Sequence, residues 1–85
     1  MEFSMRRLRE LRLKNNLTLK QVAEFLGTSI QHVQKYEKEK TILPIKRLYQ
    51  LADYYQVSAD YILGRTDDPT PPKDARPYAP EEKAK

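Results

Sequence analysis

The densest run of hydrogen-bonding chemistry in the chain lies between Ile30 and Lys40, IQHVQKYEKEK. If Val33 and Tyr36 take the inward i, i+3 positions of a helix, then Ile30, Gln31, Gln34, Lys35 and Lys38 project from it. A glutamine amide donates and accepts side by side, which fits the N6/N7 edge of adenine; a lysine ammonium donates to O6 and N7 of guanine. Ile30 has no hydrogen bond to offer, but its side chain fits against a thymine methyl. The plain alternative is a solvated helix face. For Gln34 the two readings stand level, whereas an isoleucine at 30 is less expected on a merely solvated face.

Other chemistry is poorly served. The chain has no Cys, one His and two Gly. That leaves no disulfide or thiolate metal site, no histidine cluster and no glycine-rich phosphate loop. No enzyme, cofactor or metal is therefore expected. The lone His32, near the start of the helix, is expected to be exposed and idle, the alternative being an approach to a phosphate.

The elements that must position this face lie within 19–38, LKQVAEFLGTSIQHVQKYEK, which reads as two short helices joined by a tight turn. Val22, Ala23 and Leu26 give the first helix one apolar face. Thr18 precedes it, and Gln21 three residues on completes a capping box. Ser29 is the natural N-cap of the second helix. Gly27 marks the bend, expected to lack room for a Cβ and to need a positive φ. Small at 23, glycine at 27, β-branched at 33 and bulky at 36 together specify two helices crossing closely at a steep angle.

These residues, with LRELRLKNNLT before them and LYQLADYYQVSADYILG after, resemble the helix-turn-helix of the Cro-like phage-repressor family, also called the xenobiotic-response-element family. The resemblance covers about Met5 to Gly64. It implies an all-α, five-helix, lambda-repressor-like domain whose third helix enters the major groove of DNA. It puts Ile30, Gln31 and Lys35 where base contacts are made, with Gln34 beside them. Phosphates would be held at Thr18, Leu19 and Lys20, where a helix N-terminus presents N–H groups, and by Lys38 and Lys40. Leu19 departs from the polar residue often found there, leaving only its backbone. Arg12 and Glu37 match a pair that joins the first helix to the third. Glu39 stands where the family usually has glycine, so either it takes a strained left-handed conformation or the helix ends differently.

Along the chain, helix 1 is expected over Met5–Asn15, with Ser4 as N-cap, Leu8 and Leu11 inward, and Asn16 left-handed. Helix 3 should end near Lys38. Helix 4 should carry Pro44 in its first turn, with Ile45, Leu48, Leu51, Ala52 and Tyr55 facing inward. Helix 5 should be short, capped by Ser58, with Ile62 and Leu63 packed before Gly64. Residues 5–64 form the expected domain, with the helix-turn-helix at 19–38. Residues 65–85 hold five of the six prolines and no aliphatic residue larger than Ala, and read as a disordered or extended polyproline-like tail.

The net charge of +4 belongs wholly to residues 1–64, since the tail carries five charges of each sign. A modest basic excess suits a polyanion partner, though a merely basic soluble domain would show it as well. No apolar run approaches a membrane span and no signal peptide pattern is visible, so the expected compartment is the cytoplasm. The reading is a DNA-binding regulator, a repressor on a palindromic operator in double-stranded DNA, acting as a homodimer. Tyr54, Tyr61 and Leu63 are candidates for the pairing surface. The alternative is an antitoxin or other protein-interaction module whose tail binds a partner protein.

Overall fold

The computed structural model describes residues 5–73. They form five helices: α1 (Arg6–Lys14), α2 (Leu19–Leu26), α3 (Ile30–Glu37), α4 (Ile45–Tyr55) and α5 (Ala59–Leu63). No strand occurs among the described residues, and no helix is long and apolar enough to cross a membrane. The core is one cluster to which every helix contributes: Leu8 and Leu11, Val22 and Leu26, Val33 and Tyr36, Leu48 and Leu51, and Ile62. Tyr36 and Ile62 are the largest fully enclosed side chains. Each such side chain contributes about 1.5–3 kcal/mol by leaving water.

Local sequence accounts for most helix starts. Thr18 Oγ1 accepts from Gln21 N–H at 3.1 Å while Gln21 Oε1 accepts from Thr18 N–H at 2.8 Å, the reciprocal capping box. Ser29 accepts from His32 N–H, and Ser58 from Tyr61 N–H. Two expected starts differ. α1 begins at Arg6, not Met5, and Met5 occupies the cap position without a side-chain bond. The expected cap Ser4 lies outside the described residues. Pro44 precedes α4 rather than filling its first turn: its ψ of 150° is extended, and its carbonyl accepts from Leu48 N–H.

All five helices stop the same way. Asn16, Gly27, Glu39, Gln56 and Gly64 have positive φ. The N–H after each donates to a carbonyl five residues back: Leu17 to Arg12, Thr28 to Ala23, Lys40 to Lys35, Val57 to Ala52 and Arg65 to Asp60. This 6→1 closure satisfies carbonyls that the helix itself leaves open. At Gly27 the expected reason was only half right. A Cβ there would meet nothing within 4 Å; what asks for glycine is the φ of +73°. Glu39 does adopt the left-handed conformation, at φ 59°, and its carboxylate accepts from Met5 N–H at 3.1 Å.

Two further corrections concern packing. Ile45, expected inward, is 62% exposed, and the neighbouring Ile42 is 86% exposed. With the helix starting at Ile45, the inward stripe is Leu48, Leu51 and Ala52, and Ile45 falls beyond its end. The chain after Gly64 also stays against the domain. The Arg7 guanidinium donates to the carbonyls of Tyr61 and Thr66 and to the Asp67 carboxylate, and lies 4.1 Å from the centre of the Tyr61 ring. Ser58 N–H donates to Pro69 O at 2.9 Å. The remainder of the expected tail, 74–85, lies outside the described residues.

Candidate nucleic-acid interface

The outward side of α3 is built by what the inward side is committed to. Val33 and Tyr36 are buried against α2, so the helix cannot rotate about its axis without opening the core. The buried Tyr36 hydroxyl accepts from Arg47 at 2.7 Å, which ties α3 to α4. On the other side Arg12, itself buried, makes a two-pronged contact with Glu37: Nε to Oε2 at 2.7 Å and an Nη to Oε1 at 3.1 Å. A third nitrogen of Arg12 donates to Leu17 O at 3.1 Å, fixing the loop that leads into α2. Three elements are thus registered by one guanidinium, whose rigid fork suits a bidentate carboxylate.

With its orientation fixed this way, α3 turns Gln31, Gln34 and Lys35 to solvent, with Ile30 at 38% exposure. Lys38 and Lys40, in the turn that closes α3, are exposed as well. At the start of α2, Thr18 and Lys20 are exposed, but Leu19 is half-buried against the core. The capping box engages the N–H groups of Thr18 and Gln21 and not those of Leu19 and Lys20. These two backbone groups sit at the positive end of the α2 dipole.

Sequence reasoning missed three participants. His32 is not idle: its Nδ1 pairs with Thr28 Oγ1 at 2.9 Å and its ring stacks on Tyr36 with centroids 4.7 Å apart. It braces the first turn of α3, beside Gln31. Arg47 left one indirect signal, since a buried tyrosine hydroxyl needs a polar partner. Tyr55 packs near the Arg12–Glu37 pair; burial first, then the charge of Glu37 and the neighbouring Tyr54, push its phenol well above the ordinary range, with Arg12 opposing. The three expected pairing residues have separate neighbours. Tyr54 stacks on Phe25, Tyr61 lies under Arg7, and Leu63 lines an apolar groove with Met5, Leu43 and Leu48.

The chain is similar in sequence to known helix-turn-helix proteins. A family model described as helix-turn-helix matches residues 8–62. Over 65 residues the chain is 48% identical to the uncharacterized HTH-type transcriptional regulator YobD of Bacillus subtilis (strain 168), covering 76% of this chain and 58% of that protein. It is 34% identical over 62 residues to the HTH-type transcriptional regulator ImmR of the same organism, covering 73% and 49% respectively. It is also 34% identical over 65 residues to the uncharacterized HTH-type transcriptional regulator y4aM of Sinorhizobium fredii (strain NBRC 101917 / NGR234), covering 76% and 46%. The chain spans about half the length of the curated relatives it matches. No solved structure gives a significant match.

Proposed function

The chain belongs to the Cro-like helix-turn-helix family of DNA-binding transcriptional regulators, and from that premise we propose that it is a cytoplasmic repressor that reads a palindromic operator as a homodimer. The observation that carries the reading is the division of labour on α3. Val33, Tyr36 and Glu37 hold the helix to three neighbours, while Gln31, Gln34 and Lys35 face solvent and Ile30 is partly exposed beside them.

In this mechanism α3 lies in the major groove. Gln31 pairs with an adenine edge and Lys35 with guanine, Gln34 reaches a neighbouring base, and Ile30 rests on a thymine methyl. The N–H groups of Leu19 and Lys20, the hydroxyl at Thr18, and the ammonium groups of Lys20, Lys38 and Lys40 hold phosphates on either side. Two copies place two reading helices about 34 Å apart, one turn of duplex. A partner protein captured by the tail is the rival reading. The engagement of residues 66–69 with their own domain, through Arg7 and Ser58, gives that rival less free chain to work with.

Selection from a random duplex library tests the reading as a whole, because it reports binding, motif and palindromy together. Two variants then separate reading from holding. Gln31→Ala costs about 1–3 kcal/mol on the selected site and relaxes one base pair per half-site. Lys40→Ala weakens all sequences alike and makes the salt dependence shallower by about one unit of slope per lost phosphate contact, about two in a dimer. If Lys40→Ala changes base preference while Gln31→Ala changes only the salt slope, α3 does not sit in the groove as described.

A further inference from the structure

The two most exposed large apolar side chains among the described residues are near neighbours in sequence. Ile42 is 86% exposed and Ile45 62%, where the next, Leu13, is 48%. Beside them opens a groove of about 410 Å³, lined by Met5, Leu43, Leu48 and Leu63 and by Ile42 itself. The rest of its lining, 39–41, is the turn that stops α3. We propose that this face pairs two copies of the chain, with Ile42 and Ile45 of each copy seated in the groove of the other. The proposal rests on the two-copy part of the function proposed above. It moves the pairing surface off Tyr54 and Tyr61, which are engaged by Phe25 and Arg7, and keeps Leu63.

Three observations name a second copy as the occupant. First, the face is self-complementary. It carries protruding side chains and an apolar groove together, so a two-fold axis beside it presents each copy's isoleucines to its partner's groove. Second, the dimensions agree. The domain measures 35 × 28 × 26 Å. Two reading helices about 34 Å apart on one duplex therefore bring their domains side by side within contact. The turn at 39–41 lies on both the groove and the end of the reading helix, so pairing there fixes one α3 relative to the other. Third, the charge around the face ties pairing to DNA. Lys38, Lys40 and Lys46 are exposed there and repel their counterparts in a second copy. Phosphates held by Lys38 and Lys40 cancel that repulsion. Two isoleucines from each copy make a small interface, of the weak class below about 1,200 Å². Pairing is accordingly weak in the free protein and strengthened on the duplex, where both copies are held close.

The test has one arm without DNA and one with it. The free full-length chain should form a dimer in sedimentation by about 1 mM, the weak end for an interface of this size. Burying one isoleucine is worth about tenfold or more in affinity, and each dimer buries two at either position. Ile45→Glu and Ile42→Glu should each weaken the dimer by about 100-fold. Both side chains are exposed in the single copy, so helical circular dichroism and Tm should stay unchanged and serve as the folding control. The chain has no cysteine, so a nitroxide at Lys46→Cys is unique. On an isotope-labelled second copy it should broaden the amides of Met5, Leu43 and Leu63. A monomer at about 1 mM overturns the proposal. A dimer that survives both substitutions, or broadening centred on Phe25 and Tyr54, overturns this face and leaves the two-copy reading standing. On DNA, the probes are the duplex recovered by selection and the same duplex with one half-site scrambled. Ile45→Glu should bind the scrambled duplex as the unaltered chain does and lose cooperativity on the complete site. Cooperativity that survives Ile45→Glu overturns the proposal. If the unaltered chain binds neither duplex, the DNA reading falls, and sedimentation alone decides the pairing face.

Discussion

Arg12→Ala removes a guanidinium that makes three hydrogen bonds, two to Glu37 and one to Leu17 O. The Glu37 side chain is only 7% exposed, so deletion leaves a carboxylate enclosed without its partner. Breaking a buried pair from one side costs about 3–5 kcal/mol, against a few tenths for a surface charge. The lower figure is the better expectation, because water can enter the space vacated by a long side chain. Converted at about 4–8 °C per kcal/mol for a domain of this size, Tm falls by roughly 12–24 °C. The assay is urea unfolding followed by helical circular dichroism, with the midpoint shifted and the slope unchanged. The double replacement Arg12→Met with Glu37→Leu tells charge from packing, since it removes both ions and keeps the volume. It should recover most of the loss. A single-variant cost under about 1 kcal/mol refutes the burial argument. A double variant as unstable as Arg12→Ala refutes the assignment of the loss to an unpaired charge.

Tyr55 predicts an alkaline limit. Its phenol is held above the unfolded value of about 10, so the stability it contributes is whole below that pH and is lost as pH rises toward the folded value. The urea midpoint should fall between pH 10 and 11, and Tyr55→Phe should flatten that fall; an equal fall in both proteins removes Tyr55 as its source. Gln56→Gly relieves a left-handed residue at φ 57° and should gain about 0.5–1 kcal/mol after the greater flexibility of unfolded glycine is subtracted. A calorimetric Tm raised by roughly 2–8 °C is expected. Each substitution also removes a side-chain hydrogen bond, Gln56 Nε2 to Asp53 O at 2.8 Å within its own turn and Met5 N–H to Glu39 at 3.1 Å between α3 and the start of α1; Glu39→Gly should gain less because its bond joins two elements, and equal gains would mean that this tie adds nothing.

Much of the fold was legible because it is written in short-range chemistry. Thr18 with Gln21, Ser29 and Ser58 each announce a helix start by satisfying an open N–H three residues on. Val22, Ala23 and Leu26 announce a buried face by spacing alone. What could not be read was long-range and carried by backbone atoms. Nothing in the sequence sets Arg7 apart from its neighbours Arg6 and Arg9 on α1. Its partners are two carbonyls 54 and 59 residues away, and carbonyls have no sequence identity. Ile45 was misplaced because its spacing fits the stripe while its position at the first turn carries it past the core. On α3 the spacing of Val33 and Tyr36 fixed which side faces out, but nothing in it revealed that His32 would bond to Thr28 and brace that turn.

The repeated way of stopping a helix has a kinetic consequence. Each of the five stops is closed by a hydrogen bond spanning only five residues of sequence, so where a helix ends is encoded locally even though helices this short are held by packing. Contacts this local are reached by short loop closures, on the order of 100 ns or less, and helices relax within about a microsecond. The search left to the chain is the packing together of short segments whose ends are encoded locally. A helical domain of this kind belongs with those that fold in microseconds to milliseconds. Its slowest native step should be the last, long-range one, the closing of Arg7 over residues 66 and 67.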